Sequence, residues 1–259
     1  MSAGQWLFDL GNTRLKCAPL LDGGRCGPVR ALAHEGGDFL AALRAALPEG
    51  GEVAWLASVA APALATQVLA LLAQRFRRVS LARTQARFDG LQIAYAEPAR
   101  LGVDRFLAMA GARTRGPGPW LLAGVGTALT LDLVDAGGRH LGGRIAPSPR
   151  LMRQALHGAA AQLPEAGGRY QEFAGDTADA LASGCDGAAA ALVAATFDAA
   201  SIRLGHAPTL LLHGGGGQVL QSLLPQAHYA EALVLEGLAR WAAGADGNDG
   251  DRSRAAPAN

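Results

Sequence analysis

The residues best suited to chemistry near the start of the chain are Asp9, Gly11, Asn12, Thr13 and Lys16, in the stretch Asp9-Leu10-Gly11-Asn12-Thr13-Arg14-Leu15-Lys16. A glycine turn lets a polyanion approach the backbone, so that N–H groups face phosphate oxygens. A carboxylate beside such a turn can hold Mg²⁺ directly or through water, and a lysine supplies a point charge for the phosphates. The plainer reading is an ordinary hairpin with Asn-Thr turn chemistry. On this stretch alone both readings stand.

The elements that must position these residues are two short apolar runs, Trp6 to Leu10 and Leu15 to Leu20, which read as a β-hairpin. Asp9 falls at the exit of the first strand, Gly11, Asn12 and Thr13 form the turn, and Lys16 points back from the second strand. Further strands are predicted at Val29–Ala33, Val53–Val59 and Val79–Leu81. Helices are predicted at Phe39–Leu47, closed by Pro48, and at Pro62–Phe76, with proline near the first turn. A meander followed by strand-helix units predicts a mixed sheet covered by helices. Thr84 to Arg100 has weak periodicity and reads as a connection or lid.

A length of 259 residues is comfortable for two domains with separate cores. Half of the residues are apolar and the net charge is +1, so no electrostatic footprint for nucleic acid is present. Small molecules or other subunits are the partners to expect. Cys17, Cys26 and Cys185 have neither metal nor disulfide spacing, which fits a reducing cytoplasm. No signal-peptide pattern and no apolar run long enough for a bilayer is read in the sequence. The expectation is a cytoplasmic protein without a membrane segment.

The second half opens like the first. Trp120 to Asp132 is strand, small-residue turn, strand, and aligning the turn glycines matches Gly11 with Gly126, Asn12 with Thr127 and Asp9 with Gly124. One such hairpin per half suggests an internal duplication rather than a solenoid. A strand at His140–Ala146, helices at Pro149–Ala161 and Asp176–Asp198, a strand at Thr209–Leu212 and a last helix at Leu233–Ala243 follow. The predicted domains are residues 1–115 and 116–243. Residues 244–259 carry little to bury and read as a disordered tail.

Two phosphate-type turns at the heads of two domains resemble the actin, sugar-kinase and Hsp70 ATPase superfamily. Within it the chain resembles type III pantothenate kinase. Asp9 to Lys16 looks like that family's phosphate motif, and Leu101-Gly102-Val103-Asp104-Arg105 its Gly-x-Asp-Arg motif. Gly126-Thr127-Ala128-Leu129-Thr130-Leu131-Asp132, then Gly142 to Pro147, look like its second phosphate motif and the strand after it. Asp176 to Gly184 resembles its Asn-Thr-x-x-Ala-x-x-x-Gly segment. The resemblance runs from about Trp6 to about Trp241, and the four motifs in order are far more specific than any one.

The resemblance implies an α/β fold of two ribonuclease-H-like domains, mixed sheets flanked by helices, with the nucleotide cleft between them. It implies ATP-dependent phosphorylation of pantothenate to 4'-phosphopantothenate, the first step toward coenzyme A. Asp104 corresponds to the general base. Asp9, Gly11, Asn12, Thr13, Lys16, Gly126 and Thr127 correspond to ATP and Mg²⁺ contacts, with Asp9 toward the metal. Tyr95, Gly102, Val103, Asp104, Arg105 and Thr177 correspond to pantothenate contacts. Plainer readings remain: Asp104 or Thr177 as helix caps, Arg105 as a solvated surface arginine, Tyr95 as a packing residue. The resemblance also implies a homodimer, to which the alanine-rich helices of the second half are suited.

Three positions depart from the family pattern. Gly124 stands where most relatives have an Asp that helps bind a monovalent cation, K⁺ or NH₄⁺, and glycine has no side chain for that. Ser148 follows Pro147 where relatives have Gly. His213 precedes Gly214-Gly215-Gly216 where they have Thr. An active kinase and a non-catalytic relative that binds pantothenate or nucleotide as a regulator are therefore both carried forward. The retained Asp9, Lys16, Asp104 and Arg105 favour the kinase.

Overall fold

The computed structural model describes residues 4–34 and 38–252. The chain divides into two compact units, Met1–Asp89 with Tyr95–Gly116 and Ala232–Asn259, and Gly90–Ala94 with Pro117–Glu231.

In the first unit β1 (Gln5–Leu10) and β2 (Arg14–Leu21) form the expected antiparallel hairpin. Strands β3 (Arg25–Cys26) and β4 (Arg30–Ala33) both pair with β2. Helix α1 (Phe39–Ala46) leads to β5 (Gly51–Ser58), which lies parallel to β1. Helix α2 (Pro62–Arg75) then returns the chain to β6 (Phe76–Leu81), parallel to β5. Parallel neighbours need such a crossover, and both faces of their strands are then covered. Accordingly Val53 to Ala57 of β5 are buried without alternation. Phe8, Leu10, Leu15, Leu43, Leu56, Val68 and Leu72 form the core on the side of α1 and α2.

The stretch expected as a connection contains the short strands β7 (Arg87–Phe88) and β8 (Leu91–Gln92), through which the chain passes between units, and a 3₁₀ turn at Pro98–Arg100. Helix α3 (Val103–Arg113) follows, its residues buried from Arg105 to Ala112.

The second unit repeats the plan. Strands β9 (Trp120–Val125) and β10 (Ala128–Val134) form an antiparallel hairpin, and β11 (His140–Pro147) adds antiparallel to β10. Helices α4 (Pro149–Ala159) and α5 (Thr177–Leu204) precede β12 (Thr209–His213), which is parallel to β9. The short helix α6 (Gly217–Gln221) leads to β13 (His228–Tyr229), parallel to β12. Both sheets thus carry a three-stranded antiparallel meander extended by parallel strands. That shared topology is the structural form of the weak repeat in the sequence.

By length and composition α5 is apolar enough to cross a membrane, with a mean hydropathy of 1.4 over its richest window, which corrects the reading that no run is long enough. Its inward face, including Ala189, Ala190, Val193 and Ala200, packs in the core with β9, β10 and β12. It also buries Asp186, whose carboxylate lies 3.1 Å from Arg153 of α4. A long alanine-rich core helix passes the same test as a membrane span.

The last helix, α7 (Leu233–Arg252), differs from expectation twice. It belongs to the first unit, not the second. A Cβ on Gly237 would overlap the Leu107 carbonyl, and one on Gly111 the Leu233 carbonyl. The α3 and α7 backbones therefore touch, which only glycine permits. Trp241 stacks edge-on against Trp55 of β5, ring centroids 5.8 Å apart, and Arg115 donates to both carboxylate oxygens of Glu236 at 2.8 Å. Such long-range contacts leave no mark in local sequence. The helix also continues past Gly244, where the predicted tail begins, to Arg252. An interior glycine costs a helix about 1 kcal/mol, too little by itself to stop one already packed. Residues 253–259 of that tail lie outside the described residues.

Candidate active site

The β1–β2 register places Asp9 directly opposite Lys16, so the two side chains share one face of the hairpin. Between them Gly11 N–H donates to the Arg14 carbonyl at 3.0 Å and closes the turn. His34, just beyond β4, braces the turn. Its N–H donates to the Thr13 carbonyl at 3.0 Å, and its Nδ1 lies 3.3 Å from the Asn12 carbonyl. Asn12 is exposed while Gly11 and Thr13 are half-buried, so the turn is presented at the surface.

Asp104 reaches the same electrostatic neighbourhood from α3. It lies in the helix's first turn, and its Oδ1 accepts the Arg105 N–H at 2.8 Å. A Cβ on Gly102 would come within 2.6 Å of that oxygen, so glycine at 102 lets the carboxylate fold back over the helix start. Thr84 Oγ1 donates to the Leu101 carbonyl at 2.8 Å and pins the strand-like entry to the motif. The helix N-cap is Gly102, with no side-chain cap hydrogen bond, so Asp104 is not the cap that the sequence allowed. Its bond to the Arg105 N–H instead fixes where the carboxylate points.

Asp9 registers the crowding. Its pKa is pushed up to about 7, first by burial and then by the Asp104 charge, while Lys16 pulls it down. Two carboxylates and one ammonium thus share a half-buried site, with negative charge in excess. A divalent cation would remove that excess, and the donors are hard oxygens of the kind Mg²⁺ prefers. Among the described residues no group of three or more Asp, Glu, His or Cys forms a metal cage. The donor set therefore suits Mg²⁺ held by one carboxylate together with substrate phosphates and water.

Arg105 is buried, only 6% exposed, which corrects the surface-arginine alternative. Its Nη1 donates to the Tyr95 hydroxyl at 3.2 Å, and the guanidinium carbon lies 6.0 Å from the Tyr95 ring centroid. Two residues separated in sequence by the 3₁₀ turn are thereby joined, and a desolvated guanidinium is well suited to a carboxylate ligand. Val103 is buried at the start of α3.

In the second unit Gly126 and Thr127 form an exposed turn between β9 and β10, closed by Gly126 N–H donating to the Ala128 carbonyl at 3.0 Å. Ser148, read from sequence only as a departure, is buried. Its Oγ donates to the Thr127 carbonyl at 2.9 Å and accepts the Leu151 N–H at 3.3 Å as the N-cap of α4. The Ser-Pro pair at a helix start was the available signal. Thr177 is exposed at the first turn of α5. The cap there is Asp176, which accepts the Asp179 N–H at 2.9 Å, so the capping alternative for Thr177 falls away. Asp132 is buried 3.0 Å from His140 Nε2.

A sequence model of the type III pantothenate kinase family matches residues 6–199. The chain is 56% identical over 238 residues to a type III pantothenate kinase of Xanthomonas campestris pv. campestris (strain B100), covering 92% of this chain and 97% of that one. It is 55% identical over 237 residues to one of Stenotrophomonas maltophilia (strain R551-3), covering 92% and 96%. Among solved structures, a conserved Campylobacter jejuni protein described as a Baf family transcriptional activator matches with a TM-score of 0.57 at 18% identity, over 90% of this chain and 94% of that one. The activator of 2-hydroxyisocaproyl-CoA dehydratase from Clostridium difficile, with bound ADPNP, matches with a TM-score of 0.54 at 10% identity, over 98% and 99%. These two likenesses concern the fold. The sequence matches, spanning nearly the whole chain and all four motifs, show that it belongs to the type III pantothenate kinase family.

Proposed function

We propose that this chain catalyses ATP-dependent phosphorylation of pantothenate to 4'-phosphopantothenate, the first step of coenzyme A biosynthesis. The observation that carries the reading is the meeting of Asp9, Lys16 and Asp104 beside the Tyr95–Arg105 pair within one unit. Nothing in an ordinary hairpin requires a crowded, half-buried carboxylate pair, and phosphoryl transfer uses one.

In this reading the Gly11–Thr13 turn and Lys16 take ATP phosphates, and Asp9 holds the accompanying Mg²⁺. Mg²⁺ supplies neutralisation of the charge shared by the transferring and leaving phosphates. Gly126 and Thr127 are likewise assigned to ATP phosphate, with Ser148 fixing the turn. Arg105 binds the pantothenate carboxylate, and Tyr95 acts partly through Arg105 by holding its guanidinium. Gly102 and Val103 shape the substrate segment, and Thr177 is a further substrate contact. Asp104 accepts the proton of the attacking primary hydroxyl as its oxygen bonds to the γ-phosphorus and the bond to the ADP oxygen breaks. Positioning dominates in so loose a transition state, and the Arg105 N–H holds the Asp104 carboxylate in place.

We further infer a cytoplasmic homodimer. Three free cysteines fit a reducing compartment. Phe173 is 92% exposed and Ile145 66%, and Leu151 and Leu156 on amphipathic α4 are also exposed. Such apolar surface is expected to be covered by a second copy. The direct test is a coupled ADP-release assay with and without pantothenate, with sedimentation in parallel. ADP release that requires pantothenate, from a dimer, is the expected result. Tight ligand binding without turnover would instead support the regulator reading, and a fully active monomer would remove the dimer.

A further inference from the structure

The two hairpins occupy equivalent places in their sheets, yet their chemistry differs. Beside the first turn, Asp9 faces Lys16 on β2 and Ala57 on β5. Beside the second, the corresponding Gly124 faces Thr130 on β10 and His213 on β12. The second turn thus lacks a carboxylate and a lysine but gains an imidazole on the parallel neighbour. That imidazole fills the place a residue-124 side chain would take. A Cβ on Gly124 would lie 2.8 Å from both Cε1 and Nε2 of His213 and 2.8 Å from Thr130 Oγ1.

The backbone holds His213 there. Gly214 has a φ of +85°, and a Cβ on it would come within 2.6 Å of the Val125 carbonyl oxygen. Gly216 N–H donates to that same carbonyl at 3.0 Å, and Tyr229 Oη donates to the Gly214 carbonyl at 3.1 Å. The glycine segment therefore wraps the end of β9, directly before the exposed Gly126–Thr127 turn. His213 lies at the carboxyl end of a parallel strand pair, where open α/β sheets bind ligands. It is half-buried.

We propose that His213 is a nucleotide-phosphate-binding residue, its ring seated over Gly124 and donating to an ATP phosphate beside the Gly126–Thr127 turn. It does for the second turn what Lys16 is assigned to do for the first. A cation held by a carboxylate at position 124 then has neither ligand nor room. This inference rests on the kinase reading for the identity of the nucleotide, but its test does not depend on turnover.

The test is calorimetric titration of the full chain with a non-hydrolysable ATP analogue and Mg²⁺ in K⁺-free buffer. A hydrogen bond to a charged group is worth enough that His213→Ala should weaken nucleotide binding about tenfold or more. Pantothenate affinity should stay within about twofold, and His213→Gln, which keeps a donor, should recover part of the loss. Gly124→Ala should weaken nucleotide binding by displacing the ring, yet add nothing in the His213→Ala background, since coupled residues are non-additive. Nucleotide affinity unchanged in His213→Ala overturns the proposal. So does an equal loss of both ligands with a lowered Tm, which would make His213 a packing residue. If the wild type binds the analogue but does not phosphorylate pantothenate, the kinase reading fails while the His213 comparison still decides this one. A wild type that binds no nucleotide removes both.

Discussion

Asp9→Asn should stabilise the ligand-free protein above neutral pH while removing its Mg²⁺-dependent turnover. Asp9 has its pKa raised from 3.8 to about 7 by burial and by Asp104. The folded state therefore holds a proton that the unfolded chain has already released. The associated destabilisation is absent below about pH 4, grows as pH rises toward 7, and is complete above that. A shift of about three units corresponds to at most about 4 kcal/mol. Asp9 is only half-buried, so water reduces the effect to about 1–2 kcal/mol. For a chain of this size that is a Tm change of about 3–6 °C. The assay is thermal unfolding followed by circular dichroism in EDTA, at about pH 5 and about pH 8. The Asn variant should gain most of its advantage at the higher pH, and in EDTA-free buffer Mg²⁺ with ADP should stabilise the wild type more than the variant. An Asn variant no more stable than wild type at the higher pH would refute the electrostatic crowding from which the metal role is argued.

Asp104→Asn should reduce turnover about 10²–10⁴-fold, as expected for loss of a general base, with the fold unchanged by circular dichroism. Tyr95→Phe removes one hydrogen bond to Arg105 and should raise the KM for pantothenate about 2–10-fold with little change in ATP KM, read from initial rates. Gly237→Ala drives a methyl group into the Leu107 carbonyl and should destabilise by about 1–3 kcal/mol in urea unfolding. Initial rate should be flat against KCl when choline chloride keeps ionic strength constant, because Gly124 offers no carboxylate. A saturable rise at millimolar K⁺ would show that a monovalent-cation site persists without it.

The sequence determined the hairpins, most of the strand-helix order and the family, because each is written locally. Alternating and continuous apolar runs mark strands, Pro62 and Pro149 mark helix starts, and the glycine turns mark where a phosphate can approach. The motif from Gly102 to Arg105 named Asp104 without any structure. Only the tertiary structure decided that Arg105 is buried against Tyr95, that Asp104 raises the pKa of Asp9, and that α7 belongs with α3 and β5. It alone brought His213 over Gly124, residues far apart in the chain and adjacent only through parallel strand pairing. Local propensity records what a residue does to its own backbone. Burial, charge coupling and the closeness of two glycine-paired helices depend on which distant segment arrives beside it, and neighbouring residues carry no trace of that.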